Sequence, residues 1–375
     1  KSCAMKKLIS FLVSSIFVFT SYTQVHMLLR ANIKDTLVID KYETQNNGFL
    51  TKQIFMSPGS WRIQNERTAE LLNNETVVAV DLVYSDYPEG DDFTELNKRR
   101  IVELYNFLPT AFNRQVVNWR IIKQTGVIKT GGINNYFHGF VVYYRPMPTY
   151  MDENTLIANI VSGKTKPEDS TLLKVFDRNP QWKDMLVVCD VTGSMSPYTA
   201  QLLLWIKANQ ELRGMKNILF FNDDEENSTA QNVVDDTTGM WIVSSSNYKE
   251  VMNTAIEAMK KGSHYENNLE AVCTAVKRFP ESKGSVLMIA DNWEDPCDMK
   301  LLSYLKANKI PVRVILCGVT TSVNLNYLEI ARETGGTFHT MEQDLKNLAE
   351  MKDGTRFKVG DVKIMLSKGK FHLIN

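Results

Sequence analysis

Between residues 185 and 350 the chain alternates short apolar runs with longer stretches in which apolar residues recur every three or four positions. The short runs have the length and β-branched content of buried strands, and the longer stretches have the period of amphipathic helices. The predicted strands are 185–189, 217–221, 241–243, 285–290, 311–317 and 337–340, and the predicted helices are 198–212, 247–261, 266–279, 299–307, 325–334 and 343–350. This alternation predicts an α/β fold with a doubly wound, mainly parallel sheet flanked by helices.

A less regular pattern surrounds this domain, whose predicted limits are 181–350. Residues 24–75 indicate an irregular lead-in with short strands. A smaller α+β module is expected over 76–150, with strands at 76–84, 116–122 and 136–144 and a helix at 93–108. Residues 151–180 are interpreted as a linker that contains one short helix. The tail, 351–375, alternates at period two around Gly360 and Gly369 and predicts a short, hairpin-like β meander.

The amino-terminal residues have the pattern of a secretory signal peptide. Met5 and two lysines precede an apolar run over 8–20, which is too short to span a membrane comfortably. A signal peptide is therefore expected over 1–23, with residues 1–4 lying before the true start; a buried amino-terminal helix is the alternative. After signal removal no transmembrane helix is expected. The protein should then be exported to the periplasm, the cell envelope or the medium.

Composition narrows the function classes. The 375 residues suffice for two domains, and 43 Lys and Arg residues balance 43 Asp and Glu residues, so the formal net charge is zero. No basic excess indicates binding to nucleic acid. The five cysteines are scattered and form no CxxC or Cys/His cluster, so buried thiols are favoured over a disulfide framework or a zinc site.

The first strand of the alternating region ends abruptly in polar residues. Asp190, Thr192 and Ser194 occupy alternating positions in the turn that follows it. Ser196 is a natural helix N-cap, and Pro197 is a natural first-turn residue. The three oxygen side chains therefore lie in front of a helix N-terminus, and oxygen ligands suit a hard divalent cation such as Mg²⁺. In doubly wound sheets, ligands bind at the carboxyl ends of strands near the switch point.

Two later segments offer further oxygen ligands. Asp291 ends the predicted strand 285–290 and would lie beside Asp190 if the two strands are neighbours. Ser263 comes just before a predicted helix and could face the same crevice. The nearby His264 is interpreted as a surface-loop residue. Asp223 and Asp224 are interpreted as a solvated acidic loop, with support of the ligands as the alternative.

These motifs together resemble the von Willebrand factor type A domain. The turn Asp190-Val-Thr-Gly-Ser-Met resembles the first motif of the family's metal-ion-dependent adhesion site, and Asp291 resembles its last acid. Residues 262–268 resemble the Gly-Gly-Asp-x-Pro-Glu-Asn loop, although Ser263 stands where the family usually has Asp or Thr. The segments 309–318 and 328–337 also fit, so the resemblance covers about 180–350. It implies a metal site made of Asp190, Thr192, Ser194, Ser263 and Asp291.

The resemblance also implies a function. The site would hold Mg²⁺, or Mn²⁺ or Ca²⁺, with an open position for a carboxylate from a protein partner, in adhesion or envelope assembly. The alternatives are a structural scaffold with a degenerate metal site, or a metal-assisted hydrolase that uses the module at 76–150. The sequence contains no GxSxG elbow, phosphate-binding loop or paired acid and base, so an enzyme is not expected.

Two features of the amino-terminal module are interpreted without a function. His138 lies in an apolar, aromatic stretch and is expected to be a packed or hydrogen-bonded core residue. The acidic loop that contains Asp86, Glu89, Asp91 and Asp92 lacks the ligand spacing of an EF-hand and is expected to be solvated.

Overall fold

The computed structural model describes residues 36–44, 49–112, 117–127, 132–146, 150–209, 214–222, 239–260, 267–319 and 322–374. The predicted signal peptide lies outside these residues. The chain divides into two units, Lys1–Pro146 and Met147–Asn375. Within the described ranges, no helix is long and apolar enough to cross a membrane.

The described part of the first unit contains a five-stranded mixed sheet. Its strands are β1 (Thr36–Ile39), β2 (Leu50–Phe55), β3 (Thr76–Ser85), β4 (Asn118–Gln124) and β5 (Gly139–Arg145), and its helices are α1 (Glu66–Leu71) and α2 (Thr94–Phe107). The order is β1-β4-β3-β5-β2, in which β1, β4 and β3 run parallel and β5 and β2 pair antiparallel. The segment predicted as a lead-in therefore supplies two edge strands and a helix to the same sheet as the later strands.

The main hydrophobic cluster of this unit lies on one face of its sheet. Val80 and Leu82 alternate along β3 toward this face, where they join Ile101 and Leu104 of α2. His138 is buried just before β5, as expected for a core histidine, and its Nε2 lies 3.4 Å from the hydroxyl of Ser85.

The acidic loop after β3 differs in part from its prediction. Glu89, Asp91 and Asp92 are exposed, as expected for solvated side chains. Asp86 is buried instead, because its carboxylate forms an ion pair with the amino group of Lys123 at 3.0 Å.

The second unit contains a mostly parallel seven-stranded sheet among its described residues. The strands are β6 (Met185–Asp190), β7 (Met215–Phe221), β8 (Met240–Ser244), β9 (Val286–Asp291), β10 (Val312–Cys317), β11 (Phe338–His339) and β12 (Asp344–Leu345). Their order is β12-β11-β10-β9-β6-β7-β8, and only the edge strands β8 and β12 pair antiparallel. Counted from β6, the first six strands have the order 3-2-1-4-5-6, which is a common order of doubly wound sheets. The prediction of an α/β fold with a mainly parallel sheet is confirmed.

Helices cover both faces of this sheet. They are α3 (Tyr150–Val161), α4 (Thr171–Arg178), α5 (Ser196–Ala208), α6 (Tyr248–Met259), α7 (Asn268–Arg278), α8 (Leu302–Ala307) and α9 (Leu325–Thr334). Because side chains alternate along a strand, Leu186 and Val188 of β6 join the core under α7, α8 and α9, whereas Val187 and Cys189 join the core under α3 to α6. The central strand is therefore buried on both sides, which is the environment that its continuous apolar run indicates.

Two segments differ from their sequence-based interpretation. Residues 151–180, interpreted as a linker, form most of α3 and all of α4, and Ile157, Leu172 and Val175 belong to the core of the second unit. The helix predicted at 343–350 is wrong. Asp344–Leu345 instead pairs with β11, and a single 3₁₀ turn follows at Leu348–Glu350, because cross-strand pairing is stronger here than the local helical period.

The last residues form an antiparallel meander of β13 (Arg356–Val359), β14 (Val362–Ser367) and β15 (Lys370–Leu373). Gly360 and Gly369 occupy its two turns with φ of 57° and 72°, which favour glycine.

Three of the four described cysteines, Cys189, Cys273 and Cys317, are buried thiols, whereas Cys297 is exposed.

Candidate functional site

The polar turn predicted after the first strand lies at the carboxyl end of β6, in the middle of the sheet. Asp190 is fully buried, and its Oδ1 accepts a hydrogen bond of 2.7 Å from the backbone N–H of Thr192. The chain then forms a 3₁₀ turn, and α5 begins at Ser196. Ser196 is thus the first helical residue rather than the N-cap, and its hydroxyl donates to the carbonyl of Gly193 at 2.8 Å. These bonds hold the turn in one conformation.

Asp291 lies next to this turn, because β9 is the parallel neighbour of β6. The sequence-based condition that the two strands be adjacent is therefore met. Oδ1 of the buried Asp291 accepts hydrogen bonds from the backbone N–H groups of Trp293 at 2.8 Å and Glu294 at 3.1 Å. Its Oδ2 accepts a hydrogen bond from the hydroxyl of Ser194. One carboxylate oxygen is thus fixed by backbone amides while the other faces the turn.

Four of the five predicted site residues therefore form one hydrogen-bonded group at the carboxyl edge of the sheet. Besides the bonds above, the hydroxyl oxygens of Thr192 and Ser194 are 3.5 Å apart. The fifth residue, Ser263, lies outside the described residues, as do His264, Asp223 and Asp224. Ser263 belongs to the segment that connects α6 with α7. Near the end of α6, the carbonyl of Ala258 accepts a 3.1 Å hydrogen bond from the side chain of Asn222, which follows β7.

The donors at this edge are all oxygens. Within the described residues, no three His, Cys, Asp or Glu side chains come together in a group that could hold a metal ion. Cations held here would depend on the two carboxylates of Asp190 and Asp291 and on neutral hydroxyl oxygens. Mg²⁺ accepts such a donor set, because it prefers oxygen ligands and keeps several of its waters. The residues present thus fit a hard divalent cation and do not fit zinc, which prefers sulfur and nitrogen.

Sequence reasoning missed a buried glutamate behind this turn. Glu153 of α3 lies against the start of α5, where its carboxyl group faces the side chain of Ser196. Burial raises the pKa of Glu153 to about 7, and the neighbouring Ser196 only partly offsets this effect. The interpretation of 151–180 as a linker hid this residue, since a linker is expected to expose its acids.

A second buried acid supports the helix that follows the Ser263 segment. Oδ2 of Asp298 accepts a 2.6 Å hydrogen bond from the backbone N–H of Glu270, in the first turn of α7. Burial raises the pKa of Asp298 to about 7, although backbone hydrogen bonds lower it. Asp298 lies 28 residues from Glu270 in sequence, so no local capping motif could have indicated this contact.

Comparison with known proteins gives no family for the chain. No protein-family model matches the sequence. A search of curated proteins likewise finds no match.

Proposed function

We propose that the second unit binds a divalent cation, Mg²⁺ in the first place, and through it a carboxylate of a protein partner. The ligands would be Asp190, Thr192, Ser194 and Asp291, with Ser263 as the fifth, in the manner of the von Willebrand factor type A domains that the sequence resembles. The observation that carries the proposal is the hydrogen-bonded group that joins the polar turn after β6 to Asp291 at the end of β9.

The small negative charge of these ligands supports binding of a cation that can still accept a ligand from a partner. Asp190 and Asp291 supply at most two negative charges, and the hydroxyl oxygens of Thr192 and Ser194 add none. The ion would therefore be nearly neutralised but not surrounded by anions. A carboxylate from a partner can still bind such an ion, because Mg²⁺ retains water positions that exchange.

The backbone hydrogen bonds support the proposal in a second way. Both carboxylates accept backbone N–H groups through Oδ1, so their orientation does not depend on an ion. Preorganised ligands lose less conformational entropy on binding than mobile ones do. The place of the turn, beside the central strand of a 3-2-1-4-5-6 sheet, is also where doubly wound folds bind ligands.

The partner is proposed to be a surface or envelope protein, in an adhesion or assembly role. This part rests on the predicted signal peptide and on the family resemblance. A structural scaffold whose site holds no ion is the alternative, and cation binding separates the two.

The first experiment is a calorimetric titration of Mg²⁺ and Mn²⁺ into the purified chain and into Asp190→Ala and Asp291→Asn variants. The wild type should release binding heat, and both variants should lose it, because each removes one of the two charges. Asp361→Asn changes an exposed acid in the tail and serves as the control that retains binding. Equal heats from wild type and Asp190→Ala, or no heat from the wild type, would refute the cation site.

The second experiment tests the partner. The immobilised chain is mixed with an envelope extract in Mg²⁺, and bound proteins are eluted with a chelator. The same protein should be recovered by Asp361→Asn and not by Asp190→Ala. Recovery that is insensitive to both the chelator and Asp190→Ala would contradict binding through the metal.

The Ser263 position offers a graded test of the same proposal. Ser263→Asp should tighten Mn²⁺ binding because it adds a charged ligand, Ser263→Thr should keep it, and Ser263→Ala should weaken it. An unchanged affinity across all three variants would remove Ser263 from the site.

A further inference from the structure

A hydroxyl, an imidazole and a carboxylate lie in a row at the edge of the second unit's sheet. The hydroxyl oxygen of Thr337 is 2.7 Å from Nε2 of His339. On the other side of the ring, Nδ1 of His339 is 2.9 Å from Oδ1 of Asp344. Hydroxyl nucleophiles that are activated by a neighbouring base have this arrangement, in which a third group orients the base.

Strand geometry builds the row. Thr337 immediately precedes β11 and His339 ends it, so the two side chains, two positions apart, lie on the same face. Asp344 is directly opposite His339 in the antiparallel pair of β11 and β12, where facing side chains are close. Because Phe338 and His339 pair with Val314 and Ile315 in the middle of β10, the row lies on the side strands β11 and β12, and β11 is two strands away from β9, which carries Asp291 of the proposed cation site.

The backbone of Thr337 is held in place. Its carbonyl accepts a 2.8 Å hydrogen bond from the N–H of Val314 in β10. The preceding Gly336 packs so closely on β10 that an added Cβ would lie 1.8 Å from the carbonyl oxygen of Val312. Only glycine permits this approach, so the hydroxyl of Thr337 is presented from a fixed strand rather than from a loose turn.

Two residues at the end of α4 orient the carboxylate. Nη2 of Arg178 lies 2.9 Å from Oδ1 of Asp344, and Nδ2 of Asn179 donates to Oδ2 at 3.0 Å. Partial burial raises the pKa of Asp344, but the hydrogen bonds from Arg178, His339 and Asn179 outweigh it and lower this pKa to about 2. Asp344 is therefore charged at neutral pH and orients the imidazole.

The imidazole is in the form that a general base requires. His339 is buried, and burial lowers its pKa more than Asp344 raises it, so the ring is neutral at neutral pH. The charged Asp344 close to Nδ1 favours the tautomer that carries its proton on Nδ1, which leaves the lone pair of Nε2 for the hydroxyl proton of Thr337. Thr337 itself is half-buried, so part of this residue remains exposed to solvent.

We propose that Thr337 is a nucleophile that hydrolyses carboxylic esters through an acyl-threonine, with His339 as the general base and Asp344 as its orienting group. Oγ of Thr337 forms a bond to the ester carbonyl carbon while its proton moves to Nε2 of His339. The bond from that carbon to the alkoxy oxygen then breaks, and the leaving alcohol takes the proton from Nε2.

Water completes the cycle in the same way. Its oxygen bonds to the acyl carbon as His339 takes one of its protons. The bond between the acyl carbon and Oγ of Thr337 breaks, and the hydroxyl recovers the proton from His339. The products are a carboxylic acid and an alcohol, and no further reactant is needed.

A nearby cavity is connected to the row through two residues that contact it, although Thr337, His339 and Asp344 are not among its walls. It has a volume of about 630 Å³, and its walls include Trp182 and Asn179. The ring of Trp182 packs edge to face on the ring of His339 at a centroid distance of 4.9 Å. Asn179 is one of the two residues that bind Asp344. Phe176 and Trp205 form further aromatic walls. The walls also include the charged Asp177, Lys183 and Asp184, so an activated ester with a short acyl group serves as a general probe of the nucleophile.

The test uses the full chain and p-nitrophenyl butyrate. Rapid mixing should give a burst of p-nitrophenolate of about one equivalent per chain, followed by slow turnover. Mass spectrometry of the quenched protein should place one butyryl group on the peptide that contains Thr337. A butyryl group found only on another residue, or release of p-nitrophenolate without any adduct on this peptide, would overturn the proposal.

Variants separate a nucleophile from a structural hydroxyl. Thr337→Val keeps the side-chain shape and should abolish both burst and adduct, whereas Thr337→Ser keeps a hydroxyl and should retain them. Asp344→Asn should slow acylation by about 10²-fold or more, because the imidazole loses its orientation. The matched control is Thr355→Val, which should leave acylation unchanged. The side chain of Thr355 is also half-buried, but its hydroxyl donates only to the backbone carbonyl of Lys352, at 2.6 Å.

Two results with the variants would also overturn the assignment. One is a Thr337→Val protein that folds and acylates at the wild-type rate. The other, which remains decisive if Thr337→Val does not fold, is a folded Thr337→Ser protein without an adduct at that position. Near-UV circular dichroism establishes folding for each variant. The pH profile supplies an independent measure, because acylation should fall with decreasing pH as His339 takes up a proton.

Discussion

The buried carboxyl group of Glu153 should make the second unit less stable at neutral and alkaline pH than at acid pH. Its pKa is raised from 4.5 to about 7, chiefly because burial disfavours the charged form. The folded state therefore favours the protonated acid. This contribution is fully present below pH 4.5 and is lost as the pH rises from 4.5 through about 7.

The magnitude follows from the shift. Each pKa unit corresponds to about 1.4 kcal/mol, so the rise from 4.5 to about 7 corresponds to about 3 kcal/mol. Relaxation of the protein and water penetration around the ionised group reduce this to about 2 kcal/mol. Glu153→Gln replaces the acid by a neutral group of the same shape. We expect this variant to be about 2 kcal/mol more stable than the wild type at pH 8 and equally stable at pH 4.

The assay is urea unfolding of the full chain at pH 8, 6 and 4, monitored by amide hydrogen exchange in the second unit, because Trp61 and Trp119 of the first unit would also contribute to tryptophan fluorescence. Glu342→Gln changes an exposed glutamate of the same unit and serves as the control, which should not shift the unfolding midpoint at any of these pH values. The reasoning fails if Glu153→Gln changes stability by the same amount at every pH, or if it destabilises the chain at pH 8.

Three further predictions concern other buried groups. Burial, and secondarily the charge of Arg100, lowers the pKa of His138 from 6.5 to about 4. The free energy of unfolding of the first unit should therefore fall by about 2 kcal/mol as the pH falls from 6.5 to 4. Amide hydrogen exchange of β3 and β5 measures this loss, and unchanged protection would contradict it. Gly336→Ala should destabilise the second unit by about 3 kcal/mol or more, because its Cβ would meet a backbone oxygen at 1.8 Å; an unchanged thermal midpoint would be inconsistent with this packing. Arg120→Met should cost about 3 kcal/mol in urea unfolding, since it removes the 2.6 Å ion pair of the buried Asp81, and the double variant with Asp81→Asn should recover part of that loss.

Local sequence determined the parts of this protein that depend on neighbouring residues. The apolar run 185–189 predicted a buried central strand, and Asp190, Thr192 and Ser194 predicted a polar turn before a helix, because strand period, turn chemistry and helix initiation act over a few residues. The prediction of a mainly parallel sheet followed from the same alternation. Even there, local pattern predicted a helix at 198–212, whereas the helix begins two residues earlier, at Ser196, which the pattern favours as the cap.

Only the tertiary structure decided which distant residues meet. Asp291 reaches Ser194 across 97 residues of chain because β9 pairs with β6, and no local pattern contains that pairing. Glu153 comes behind the same turn because α3 packs against α5 instead of serving as a linker. In both cases the burial of an apolar helix or strand face, which is a property of the whole unit, determined where a carboxylate lies.

In the row of Thr337, His339 and Asp344, one contact follows from local sequence and the other from tertiary structure. Thr337 and His339 are two positions apart, so the sequence alone placed them on one face of a predicted strand. The helical period of 343–350 assigned Asp344 to a helix, whereas cross-strand pairing with β11 places it opposite His339. Periodicity is a property of a segment taken alone, whereas the pairing of an edge strand depends on the sheet to which the strand adds. Pairing with β11 therefore placed the carboxylate of Asp344 beside the imidazole of His339.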